Sequence, residues 1–557
     1  MFCLTLRLLC AKIKSVTLNE LLRDERMTAM VRDTPIFVGK NLEAFKHFAA
    51  ECTEGMMKDN RIPSLLCLKN GEFAGNVIAA VDKASCGKDW GMIEIGVRVS
   101  RDGGKSFGKL KTVFSPPVRK YPYDENDFGS AFCIDPLMIE APTGKIVFLI
   151  DFFPESRGLD GENLLENGSG YVEIDGKKYL ALHTSRSALD KKPYKDDRVF
   201  TLREDGFVYD DAGVKTRYYI PKRHNPSLAF ATYGDMYYAV GEGEYVTKFP
   251  PLIPEKENGH DIYVGNIFLS CGKPEFTADN PVFVQKWDVL DTDGTTLCTE
   301  TSPAPLRAAV TSYILRLESY DGGETFTQPV DLNGSVKSRE DGVFLGVTPG
   351  NGIALKHGEF AGRLLAPVYT LERPSVIISD DNGKTWRKCI SASCANIDEC
   401  QLCETPDGKI YCFGRPKGGG YIPLSVSADG GETFSKCPNT DIRSPQCQRS
   451  VLSLPTDVVL PDGLENDGFY IVMVTPTGHN GRDTTRTDGT LFLGHVEGNK
   501  IKFIKAYNLK DSGKYSSFGS YDDFFAYSSC CVLPDGRIGV LYEAYASGYI
   551  TFCAVRL

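Results

Sequence analysis

Short apolar or alternating runs recur along this chain, each closed by a turn rich in Gly, Asp and Asn. IEIGVRVS ending at Ser100, TSYILRLES at Ser319, PSVIISD at Asp380 and IPLSVS at Ser427 have the period of two that predicts strands. Only the first sixty residues break this rhythm: the apolar spacing over Leu18–Val31 and Leu42–Met57 predicts amphipathic helices. No apolar run approaches the ~18 residues that span a bilayer.

The turns repeat one pattern, S-x-D-x-G-x-[ST]-[FW]. It reads SRDGGKSF from Ser100, SYDGGETF from Ser319, SDDNGKTW from Ser379 and SADGGETF from Ser427. Asp in such a turn is expected to bond the backbone amides one and two residues on, Gly supplies positive φ, and the aromatic residue anchors the turn in a sheet. The last three copies are spaced like propeller blades of roughly 40–60 residues. The interval from Ser100 to Ser319 is far too long for one blade. Residues 153–306 fill it with hairpin signals such as EIDGKKY and LREDGFVYDDAG, read as a small inserted β domain. Residues 1–55 form an N-terminal extension, and the remainder of 56–557 accommodates about six blades of ~58 residues. The expected fold is therefore all-β, a six-bladed β-propeller, with a sandwich or solenoid as the alternative.

Composition agrees with a β-rich, turn-rich chain: 55 Gly, 31 Phe and 26 Tyr against 3 Trp. The net charge of −10 disfavours nucleic acid as a partner, since a polyanion would meet repulsion. The 7 His form no ligand motif, so neither a metal-dependent mechanism nor a cofactor is expected, and a structural calcium stays open. Among the 18 Cys the only C-x-x-C is Cys400 to Cys403, and within a strand these thiols point to opposite faces. Buried free thiols lean towards a reducing compartment. Met1–Lys14 is interrupted by Arg7 and lacks a basic n-region, so it makes a poor secretory leader.

The four turns together with Arg61-Ile62-Pro63 in NRIPSLL resemble the sialidase superfamily, in particular bacterial and protozoan sialidases with an inserted β domain. The resemblance runs from Arg61 to the C terminus. It implies a pocket at one central end of the propeller, with the repeated turns away from it. Such turns identify a fold and not a chemistry.

The implied substrate is a terminal sialic acid on an oligosaccharide, glycoprotein or glycolipid. Its carboxylate sits on the anomeric carbon and calls for planar, permanently charged guanidinium groups. Arg61 matches the family's first arginine, Arg415 in GKIYCFGRPKGG the second and Arg486 in TRTDGTLFLG the third, with Arg482 as the fallback. Sialidases replace the second carboxylate of ordinary glycosidases with tyrosine. Tyr527 in FFAYSSCCVLPDGRIGVLYE matches that nucleophile, and Glu399 in IDECQLCETPDGK matches its base, with Asp398 out of register. Glu543 resembles the carboxylate that orients the first arginine. Asp89 in CGKDWGMIEIGVRVS matches the acid/base on a loop, where Trp90 would be an apolar neighbour able to raise its pKa. Asp135 in FCIDPLMIE resembles a sugar-contacting aspartate. In AAVDKAS the chain departs from the family's Asp-Ala-Arg, and Lys83 beside Asp82 is the candidate substitute.

The resemblance thus implies retaining exo-α-sialidase hydrolysis. Trans-sialidase and intramolecular trans-sialidase chemistry use the same machinery. A non-catalytic sialic-acid-binding propeller would need the arginines but has no use for Tyr527, Glu399 and Asp89 together.

Overall fold

Six mainly antiparallel sheets are arranged radially, and each takes its strands mainly from one continuous stretch of chain. The computed structural model describes residues 36–37, 59–84, 88–116, 131–154, 158–184, 197–220, 234–239, 262–268, 285–290, 296–302, 306–392, 397–478, 485–509, 524–545 and 549–557. Blade one runs from its inner strand Asp59–Cys67 through Val77–Ala84 and Ile93–Ser100 to Lys111–Phe114. Blade two begins with Phe132–Glu140 and Ile146–Phe153, then resumes at Tyr313–Ser319 and Val330–Asp331. Blade three is built on Leu364–Tyr369 and Pro374–Ser379. Blade four contains Ile397–Glu404 and Ile410–Pro416, and blade five Ser450–Ser453 through Lys500–Asn508. The fold is the expected six-bladed β-propeller.

Blade six joins both ends of the chain. Its strands Ala526–Val532, Ile538–Tyr545 and Tyr549–Val555 are completed by Ile36–Phe37, with Ile36 opposite Val555 and Phe37 opposite Ala554. Closing the last blade with an early strand gives its edge a backbone partner. The helices expected over Leu18–Val31 and Leu42–Met57 lie outside the described residues.

The core is divided among the blade interfaces. Val77, Ala79 and Val81 of blade one meet Leu541, Ile550 and Phe552 of blade six, and Leu137 and Leu149 of blade two meet Leu364 and Ile377 of blade three. Each middle strand is apolar on both faces because it lies between two neighbouring blades, which is why these runs read as nearly continuous apolar segments. Cys400 packs towards blade three and Cys403 towards blade five, the opposite orientations expected of that C-x-x-C.

Between Ile146–Phe153 and Tyr313–Ser319 the chain forms an eight-stranded sheet that ends with Arg307–Ala308 pairing Lys177–His183. Leu182, Phe200, Val208 and Met236 of this sheet share one apolar cluster with Phe148, Phe152 and Leu315 of blade two.

The four repeated turns follow the third strand of blades one to four and have the same bonding. Ser100, Ser319, Ser379 and Ser427 donate to Asp102, Asp321, Asp381 and Asp429 at 2.7–2.9 Å. Each Asp accepts the amide four residues on, at 2.8–3.0 Å, and the hydroxyl of that same residue. The sequence-based expectation of amides one and two residues on is therefore corrected: the carboxylate reaches across the turn and closes it end to end. The glycine before the far limb is needed for two reasons. Gly323 has φ +93, and a Cβ there would lie 2.8 Å from Ile78 of the neighbouring blade.

Candidate active site

The pocket, about 260 Å³ in volume, lies at the end of the propeller axis remote from the repeated turns, and all six blades line it. Register places it there. In blade one Arg61 pairs Asp82 at one end of the sheet, while Cys67, Val77 and Ser100 align at the other.

The inner strands do not run regularly into this pocket. Pairing slips between Arg61 and Ser64, between Ile134 and Leu137, between Ile397 and Cys400, and between Ala526 and Ser528. Bulges re-aim side chains that regular alternation would send between the blades. Ile62 and Asp135 have φ +52 and +65, left-handed values that non-glycine residues rarely adopt. The bulge in blade four lets adjacent residues, Asp398 and Glu399, both reach the pocket.

Tyr527 is buried, and its hydroxyl donates to Glu399 Oε1 at 2.7 Å. Arg415 Nη1 donates to Glu399 Oε2 at 2.6 Å and to the Tyr527 oxygen at 2.9 Å. The Arg415 and Arg486 guanidinium carbons lie 6.0 and 5.5 Å from the centre of the Tyr527 ring. Burial holds the phenol well above its usual pKa of 10, an effect that Arg415 opposes and Glu399 reinforces. Burial works against the charge on Arg415, but Glu399 and the Tyr527 oxygen together more than offset it and raise the guanidinium's pKa.

Arg61 stands on the other side of the pocket. It pairs with Asp89, and its Nε lies 3.7 Å from Glu543 Oε1. The same Glu543 oxygen accepts the Ile62 amide at 2.9 Å, so one carboxylate fixes both the arginine and the strained backbone beside it. Arg486 is held by its Nη2 donating to the Gln446 carbonyl at 3.2 Å. Arg482 lies outside the described residues.

The structure thus brings together Arg61, Arg415, Arg486, Tyr527, Glu399, Asp89 and Asp135 around one cavity, with Glu543 behind Arg61. Lys83 does not join them. On its strand it follows Asp82, so alternation turns it to the opposite face, where its Nζ bonds Glu94 at 3.0 Å and Thr112 at 2.6 Å. A cationic contact to the sugar from Lys83 is accordingly set aside. Trp90 does not shield Asp89 as expected, since Trp90 is buried while the Asp89 side chain is 63% exposed. Asp398 pairs with Lys417 at 3.2 Å rather than with Tyr527.

Sequence reasoning missed the apolar wall of Ile134, Phe153, Phe344, Tyr369 and Leu371. Phe153 and Phe344 are stacked at 6.1 Å, and Tyr369 meets Phe344 edge-on at 5.0 Å. Nothing local distinguishes these aromatics from the core residues around them. Beneath Asp135 lie two further buried carboxyl groups, Asp82 and Asp151. Burial, with the neighbouring carboxyls, pushes Asp135 well above the usual carboxylate range.

The chain matches a BNR repeat-like domain over residues 270–540. It is 29% identical to the anhydrosialidase of Macrobdella decora over 87% of this chain and 58% of that protein. It is 28% identical to sialidase B of Streptococcus pneumoniae, over 87% of this chain and 62% of that protein. The chain therefore spans about three fifths of the length of these two relatives. The NanB sialidase structure from Streptococcus pneumoniae superposes with a TM-score of 0.63 at 25% identity, covering 90% of this chain and 68% of that one. An intramolecular trans-sialidase from Ruminococcus gnavus shares the fold with a TM-score of 0.62 at 24% identity, covering 90% and 95%. In its repeated turns, its six blades and these relatives, the chain is similar to the sialidase superfamily.

Proposed function

We propose that this protein is a retaining exo-α-sialidase, cleaving terminal α-linked sialic acid from glycoconjugates through a covalent bond to Tyr527. The observation that carries this reading is the buried Tyr527–Glu399–Arg415 triangle, with its 2.7, 2.6 and 2.9 Å contacts. A merely structural tyrosine has no need of a carboxylate on its hydroxyl and two guanidinium groups near its ring.

The geometry supports a sequence of steps. The substrate carboxylate binds Arg61, Arg415 and Arg486, and takes from Asp89 its place on Arg61. Asp89, freed beside the leaving oxygen, donates the proton that the departing alcohol needs. Because burial keeps the phenol neutral, Tyr527 attacks as Glu399 accepts its proton, and the positive field of Arg415 and Arg486 stabilises the developing phenolate. An acceptor, giving its proton to the now ionised Asp89, then displaces the tyrosine from the same face as the original leaving group while Glu399 returns the phenol's proton, giving overall retention.

In the first reading that acceptor is water. The likeness to an anhydrosialidase favours a second reading, in which one of the sugar's own hydroxyls attacks. The solved leech enzyme of similar fold is described with 2,7-anhydro-Neu5Ac, the product of such an attack. Mass analysis after incubation with sialyllactose separates the two. Free sialic acid supports hydrolysis, a product lighter by one water supports internal transfer, and intact substrate contradicts both. We further assign residues 153–306 to an accessory β module inserted in blade two, and residues 1–55 to an extension whose Ile36–Phe37 strand closes blade six.

A further inference from the structure

Asp89 sits on the short connection between Val77–Ala84 and Ile93–Ser100, with most of its side chain in solvent. Its carboxylate pairs with Arg61, a partner that the substrate's own carboxylate would displace, so its placement over a leaving group must then come from neighbouring groups. Trp90, the next residue, is buried, and its indole N–H donates to Asp160 Oδ2 at 3.0 Å. Lys88, the residue before, lies over the Trp90 ring with its Nζ 4.4 Å from the centroid.

Asp160 belongs to a different part of the chain, the short kinked segment Gly158–Leu164 that follows the second strand of blade two. That segment is seated against the Asp89 connection. At Gly158, φ +53, an added Cβ would stand 3.7 Å from the Asp89 carbonyl oxygen and 3.0 Å from the Phe132 ring. Leu159 and Asp160 also form part of the pocket wall.

We propose that Asp160 is a positioning residue for proton transfer: by gripping the Trp90 indole it holds the Asp89 carboxyl within reach of the leaving-group oxygen. The inference rests on the reading of Asp89 as the acid. It assigns a catalytic consequence to the segment leading from blade two into the accessory sheet. The bond ties the connection that carries Asp89 to the segment following the second strand of blade two. Loss of the grip would leave Asp89 present but misplaced, and an ångström of misplacement is costly in proton transfer.

The test exploits the leaving group. An alkyl or lactosyl alcohol needs a proton to depart, whereas a nitrophenolate does not. For Asp160→Ala, kcat/KM on sialyllactose should fall ~10–100-fold, and on a nitrophenyl sialoside less than about threefold. Trp90→Phe should reproduce the pattern, and the double variant should be no worse than either single one. Asp160→Asn, which keeps an acceptor oxygen, should recover most of the sialyllactose rate. Thermal melts confirm that each variant is folded. Equal losses on both substrates, or additive losses in the double variant, would overturn the inference and leave a binding or structural role for Asp160. Asp89→Ala is the internal control: if it too slows both substrates equally, the acid assignment fails, and the inference with it.

Discussion

The two ends of this propeller are built on opposite principles. At one end four blades carry the same turn, in which a serine, an aspartate and a threonine or serine within seven consecutive residues satisfy one another. At the other end no two blades are alike, four inner strands slip register, and the residues that meet there are separated by up to hundreds of positions. The turns close blades locally and can be copied. The pocket depends on breaking strand regularity at chosen points, and each break serves one side chain. Stability and chemistry are thereby placed at different ends, and changes at the two ends should have different signatures.

The largest effect belongs to the pocket. Glu399→Gln removes the proton acceptor from Tyr527 while keeping the shape, and turnover should fall at least ~10³-fold with little change in melting temperature. A variant retaining a tenth of the activity would mean that the triangle is structural. Next comes Arg61→Lys, which keeps the charge but loses the planar fork. It should lower kcat/KM ~10–100-fold, chiefly through KM for substrates with the carboxylate intact. Steady-state kinetics on sialyllactose would decide it.

Changes at the other end should do the reverse. Asp381→Ala removes the acceptor from an amide and two hydroxyls, and should cost about 1–2 kcal/mol in urea unfolding while kcat and KM stay unchanged. A loss of catalysis per folded molecule would break the separation of the two ends.

The smallest effects are in pH. Burial raises the turn carboxyls somewhat, but their hydroxyl and amide donors win, and Asp381 is lowered to about 2. A depressed folded-state pKa contributes stability that is present above about 4 and lost as pH falls towards 2. Asp151, beneath the pocket, has the opposite sign: burial raises it well above the usual range, so its ionisation penalises the folded state as pH rises above about 4. Asp151→Asn keeps the acceptor for the Val347 amide and cannot ionise. Its melting temperature should exceed the parent's at pH 8 by more than at pH 5. A gain independent of pH would show that charge is not the cause.

The same contrast explains what could be read from the sequence. The repeated turns, the number of blades and the interruption of blade two are written in neighbouring residues, so spacing alone exposes them. Arg61, Arg415 and Tyr527 were legible only because family motifs surround them, since nothing in the isolated residues says that they meet. Three features were beyond such reading. Lys83 was misdirected because its face depends on strand register, and Asp82 takes the inward position instead. Phe153, Phe344 and Tyr369 resemble any other strand aromatics. The pairing of Ile36–Phe37 with Tyr549–Val555 joins residues about as far apart as the chain allows.

The central claim is that Tyr527 bonds the sugar. A sialosyl fluoride with a second fluorine beside the anomeric carbon slows release of the glycosyl-enzyme, so the intermediate can be weighed and located by peptide mass spectrometry. The account predicts one sialosyl group per chain, on the peptide containing Tyr527, and none in Tyr527→Phe. Labelling of another residue, or an unlabelled enzyme that still turns over sialyllactose, would contradict it.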